Sequence, residues 1–99
     1  VICIDDGVKQ LDLLRNHIQN QIFSRIDFKY TKKQPDKAKL LRSKLESSII
    51  IWDKYRVSYC DLETIHLTDE QDRLSFIQEC LVNLTKTRIE DLRLLQINI

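Results

Sequence analysis

Ser47-Ser48-Ile49-Ile50-Ile51-Trp52-Asp53 decides how the rest of the 99-residue chain is read. Four large apolar residues stand in a row, three of them β-branched. Such a run favours a short strand buried on both faces. Asp53 closes it. At the carboxyl end of a central strand, that is where open α/β sheets gather their chemistry. The competing reading lays the run inside a long helix, with Asp53 an ordinary surface charge.

Toward the N-terminus, Val1-Ile2-Cys3-Ile4 is an apolar run stopped by Asp5-Asp6-Gly7, which reads as a buried strand entering a loop. Val8, Leu11, Leu14, Ile18 and Ile22 then recur three or four apart. They form the inner stripe of an amphipathic helix, with Asp12, Arg15, Asn16 and Gln19 outside and Asp6 as its cap. Ile26, Phe28 and Tyr30 alternate with Asp27, Lys29 and Thr31, the period of a half-exposed strand. Pro35 suits the first turn of a second helix, whose inner face is Ala38, Leu41 and Leu45. Beyond Asp53, residues 54–62 are ambiguous, with Tyr55, Tyr59 and Leu62 suiting a short helix, and Thr64-Ile65-His66-Leu67 reads as a short fourth strand. Thr68-Asp69-Glu70-Gln71 is a capping box for a helix packed through Leu74, Ile77 and Leu81. Residues 80–85 read as a fifth strand, and Ile89, Leu92 and Leu95 mark a last helix.

Alternating strands and helices predict one α/β domain over 1–99: a doubly wound, five-stranded parallel sheet with right-handed crossovers. Fifteen residues separate Asp53 from Thr68, so the third helix is shortened or missing. One compositional feature favours helices instead: Gly7 and Pro35 are the only residues of their kinds. Net charge is +1, which gives no global pull toward nucleic acid or membrane. The charge is uneven, however. Residues 29–44 carry seven Lys and Arg against Asp36, and residues 61–72 carry five acids with no base. Cys3, Cys60 and Cys80 lack a C-x-x-C spacing. That argues against a disulfide framework or a zinc site and fits reduced thiols in a cytoplasmic protein.

If the first and third strands are neighbours, Asp5, Asp6 and Asp53 meet in one basin. Two carboxylates about 5 Å apart repel by roughly 3 kcal/mol at an effective dielectric of about 20. Three of them call for a divalent ion, and oxygen-only ligands suit Mg²⁺. Asp53 would then be the nucleophile toward a phosphoryl group, with Lys86 pairing to its oxygens and the Thr68 hydroxyl donating to one of them.

These landmarks, Val1–Asp6, Ile49–Asp53, Ile65–Thr68 and Leu84-Thr85-Lys86, resemble those of a two-component response-regulator receiver domain. The resemblance implies a flavodoxin-like sheet of strand order 2-1-3-4-5. It implies that Asp53 accepts phosphate from a histidine kinase or phosphotransfer protein with Mg²⁺ held by Asp5, Asp6 and Asp53. Thr68 and Lys86 would read the phosphoryl group. It further implies a homodimer through the last helix–strand–helix face and an output domain such as a DNA-binding one in transcription regulation. No enzyme activity is expected beyond self-phosphorylation and autodephosphorylation of the aspartate, and a pseudo-receiver would act by binding alone.

The alternative is all-helical. Leu41, Leu45, Ser48, Trp52, Tyr55, Tyr59, Leu62 and His66 keep a four–three spacing, a heptad seam. Helices over 8–33, 36–66 and 69–97 would make a three-helix bundle. Tyr30-Thr31-Lys32-Lys33 and Asp72-Arg73-Leu74-Ser75-Phe76 resemble pieces of F-BAR domains. That resemblance implies dimerisation and binding to anionic membranes through the basic stretch 29–44.

Overall fold

The computed structural model describes residues 5–99, and three helices carry nearly all of them: α1 (Asp6–Tyr30), α2 (Pro35–Glu63) and α3 (Glu70–Asn98). Each start is set by local chemistry. Asp5, rather than Asp6, caps α1 by accepting the Val8 N–H at 3.0 Å. Pro35 opens α2, where its missing N–H costs nothing. Asp69, rather than Thr68, caps α3 through the Asp72 N–H. No glycine or proline interrupts any helix interior, so nothing stops them short of 25 to 29 residues. The end of α2 is held by the Thr64 hydroxyl, which donates to the carbonyls of Cys60 and Asp61.

Short links over 31–34 and 64–69 make neighbouring helices antiparallel, giving an up–down–up bundle. The α1–α3 contact is the most extensive of the three helix pairs. The bundle is a rod of 56 × 20 × 20 Å. Its apolar core falls into two parts. Ile18, Ile22, Ile26, Ala38, Leu45, Ile89 and Leu92 fill the end where α1 passes to α2. Val8, Cys60, Ile77 and Leu81 fill the other end. Cys60 and Cys80 are joined by a disulfide that ties α2 to α3 there. This corrects the expectation of reduced thiols; Cys3 lies outside the described residues.

No strand occurs among the described residues, so the α/β reading is overturned. Ile49–Trp52 lies in the middle of α2, with Ile49 and Trp52 half-buried and Ile51 65% exposed. The alternation at Ile26, Phe28 and Tyr30 is helical too: Ile26 is in the core and Phe28 is 94% exposed. Residues 65–68 are a link, and residues 80–85 belong to α3. The expected first strand, Val1–Ile4, lies outside the described residues. With no sheet there is no flavodoxin-like order 2-1-3-4-5 and no receiver-type edge of strand ends. The three-helix alternative is the architecture observed, and its expected bounds differ from the helices by at most three residues.

Candidate interaction surface

Without strands, the acids expected to converge are held apart. Asp5 heads α1, and its N–H donates to Gln78 Oε1 of α3. Asp53 instead sits beside Arg15, ten residues or about 15 Å further along α1. Thr68 is exposed in the second link, and Lys86 is exposed on α3. Among the described residues, no group of three or more His, Cys, Asp or Glu is placed to hold a metal ion. The aspartyl-phosphate centre of a receiver is therefore not assembled, and the corresponding dimer face is α3 alone, without a strand.

What lies around Asp53 is a charged layer separating the two apolar clusters. Arg15 and Arg56 are both buried, on α1 and α2. Asp12 Oδ1 accepts from Arg56 Nη1 at 2.7 Å and from Arg15 Nε at 3.3 Å. Arg15 also donates to Gln19, and Arg56 donates to the Thr85 hydroxyl of α3. Asp53 stands 3.6 to 3.7 Å from the same two guanidinium groups, close enough for an ion pair and too far for a good hydrogen bond. Trp52 lies under this layer, with Arg15 and Arg56 each 4.8 Å from its ring centre and Arg88 at 5.7 Å. Arg88 donates to Ser48 Oγ. Burial, and then repulsion from Arg15, lower the Arg88 pKa, while Asp91 and Asp53 oppose that shift.

Arg15 and Gln19, expected on the outside of α1, are buried, as is Arg56, for which the helical stripes give no role. A signal was present. Arg15 continues the spacing of Val8, Leu11, Ile18 and Ile22, and Arg56 continues that of Leu45, Ile49, Trp52 and Cys60. Polar residues at core register on two helices mark a common layer.

The outward face of α2 is unusual for a surface. At 100° per residue, Leu40, Lys44, Ser47, Ile51, Tyr55, Ser58 and Leu62 fall on one stripe, almost opposite the core line of Ala38, Leu45, Arg56 and Cys60. Leu40, Ile51 and Leu62 are 55 to 65% exposed, and Tyr55 is half exposed. The expected seam of Leu41 to His66 is a different line. It starts against the core at Leu41 and Leu45 and drifts outward by Tyr55 and Leu62, as a seven-residue repeat must on a straight helix.

Beside the stripe, α2 and α3 leave a cleft of about 520 Å³, walled by Tyr59 and Phe76 and bordered by Glu63, Glu79 and His66. Tyr59 stacks on Tyr55 with ring centres 5.5 Å apart. The neighbouring Glu63 carboxylate raises the Tyr59 phenol above its ordinary pKa, with lesser contributions from desolvation and from Tyr55. Glu63 Oε2 is also 3.6 Å from Cys80 Sγ. Neither Glu63 nor Glu79 has a Lys or Arg partner among the described residues.

The rod has opposite charge at its ends. Lys29, Lys32, Lys33, Lys37, Lys39 and Lys44 are exposed where α1 meets α2; Asp61, Glu63, Asp69, Glu70 and Asp72 are exposed where α2 meets α3. No helix among the described residues is long and apolar enough to cross a membrane. No protein-family model, curated protein or solved structure matches the chain.

Proposed function

We propose that the chain is a self-association module, a three-helix unit that pairs with a second copy along the outer face of α2. The observation that carries this reading is the stripe from Leu40 to Leu62, about 33 Å long, whose apolar members Leu40, Ile51, Tyr55 and Leu62 point away from the protein's own core between Lys44, Ser47 and Ser58. Scattered exposed apolar residues are ordinary, but an aligned set marks a contact surface.

Charge sets the direction. In a parallel pair, the lysines of residues 29–44 would face each other. In an antiparallel pair they face the acids of residues 61–72, which favours encounter and excludes the wrong orientation.

The test is light scattering coupled to gel filtration over a range of concentrations. The wild-type chain is expected at twice 11.8 kDa. Ile51→Glu is expected at the monomer mass with its helical circular dichroism kept, because Ile51 contributes little to the core. A wild-type chain that stays monomeric at millimolar concentration rejects the reading.

A further inference from the structure

The cleft beside the stripe combines two aromatic faces with two carboxylates that have no Lys or Arg partner among the described residues, and we propose that it receives the Lys37 side chain of the second copy. The proposal rests on the self-association reading and gives that pairing its register.

The register follows from the stripe. Ile51 lies eleven residues from Leu40 and eleven from Leu62. A two-fold axis through Ile51 therefore sets Ile51 on its own copy, Leu40 on Leu62 and Tyr55 on the small Ser47. Sliding the partner by a heptad in one direction puts Leu62 against Lys33 and Ile51 against Lys44. Sliding it in the other puts Leu40 against Asp69 and Ile51 against Ser58. Both slides bury charge against leucine or waste the central isoleucine.

In the two-fold register each residue faces the one whose number completes 102. Lys37 therefore arrives level with Ile65, half a turn beyond Glu63. In an antiparallel helix pair, each flank meets the same flank of its partner. Lys37 and Tyr59 lie on the same flank of the stripe at 100° per residue. A four-carbon stem from Lys37 enters the mouth of the cleft beside Phe76, and its ammonium extends toward Glu63 and Glu79. Aromatic faces hold such a cation by their quadrupole, and the carboxylates neutralise it. In the single chain, Lys37 is exposed with its Nζ 4.6 Å over the Tyr30 ring, and among the described residues it makes no ion pair that its transfer would break.

Charge reversal tests this, read by sedimentation equilibrium. Lys37→Glu and Glu63→Lys are each expected to raise the dimer dissociation constant at least about tenfold, since every dimer loses two symmetric contacts. The double variant is expected to restore most of the loss. Carbodiimide coupling of mixed light and heavy isotope-labelled wild-type chains gives a readout that needs no variant. It is expected to yield an intermolecular peptide joining Lys37 to Glu63 or Glu79. A monomeric wild type rejects the association reading itself. A wild-type dimer unaffected by either reversal, a double variant no tighter than the singles, or intermolecular links that place Lys37 only on other acids each overturn the cleft contact and leave association standing.

Discussion

Asp12 and Asp53 flank the same two guanidinium groups, yet geometry assigns them unequal weight. The Asp12 side chain is 20% exposed and makes the short bonds to Arg15 and Arg56; the Asp53 side chain is 49% exposed and makes only the long contacts. Removing the partner of a buried cation leaves that charge uncompensated, which costs about 3 kcal/mol or more. A half-exposed pair is worth at most about 1 kcal/mol. Urea unfolding is therefore expected to show Asp12→Asn losing about 3 kcal/mol and Asp53→Asn less than about 1 kcal/mol. The opposite order would mean that the short bonds do not hold the layer together. Tyr59 offers a second test. Its raised phenol pKa means that the folded chain keeps a proton that the unfolded chain releases above pH 10, so this group's contribution to stability falls as pH rises beyond that value. Glu63→Gln is expected to move the Tyr59 transition toward the ordinary phenol range in a titration followed at 295 nm, with Tyr59→Phe identifying the transition.

On the scale of the helix, one run of α2 serves two faces at once. Ile49-Ile50-Ile51-Trp52 looks like a buried strand because consecutive residues are all apolar. On α2 the same run arises for another reason. The helix has two apolar faces, one toward its own bundle at Ile49 and Trp52 and one toward the outside at Ile51, so neighbours in sequence belong to different faces. Single-face periodicity cannot describe such a helix. Most of the expected inner stripes are in the core, at Val8, Ile18, Ile22, Ala38, Leu45, Ile77, Leu81, Ile89 and Leu92, whereas Leu14, Leu74 and Leu95, expected on the same stripes, are exposed. Pro35 starts α2 where its fixed backbone suits a first turn. The charged layer stayed hidden because Arg15 and Arg56 occupy core register, where polar residues are not expected. The disulfide was hidden for a different reason: α2 and α3 must first be known to be antiparallel neighbours before a spacing of 20 residues can be seen to close. That bond secures the smaller apolar cluster. Closing a loop of this length is worth roughly 3 kcal/mol, on the order of 10 °C or more in Tm for a chain this size. Cys60→Ala with Cys80→Ala is expected to lower Tm by that amount, read by circular dichroism at 222 nm. An unchanged Tm would show that the link from α2 to α3 and the Asp61–Arg73 ion pair already hold this end closed.

At the scale of the whole rod, the deciding quantity is the sign of a salt effect. Opposite charges at the two ends, with an apolar stripe between them, make one molecule complementary to itself only when the copies run in opposite directions. Screening shortens the reach of these charges from about 10 Å at 0.1 M salt to about 3 Å at 1 M. In the antiparallel arrangement that screening removes attraction between the lysines of 29–44 and the acids of 61–72. In a parallel arrangement it would remove repulsion between like ends. The apolar stripe responds weakly in either case, and if anything strengthens. Sedimentation equilibrium in sodium chloride from 0.1 to 1 M is therefore expected to show the dissociation constant rising about tenfold, for a net electrostatic contribution of about 1.4 kcal/mol. An Ile51→Ala dimer, weakened in its apolar part alone, is expected to show the same slope from a higher starting value. Tightening with salt would reverse the orientation and detach the charge pattern from the interface, because the antiparallel pairing centred on Ile51 keeps the two lysine-rich ends apart.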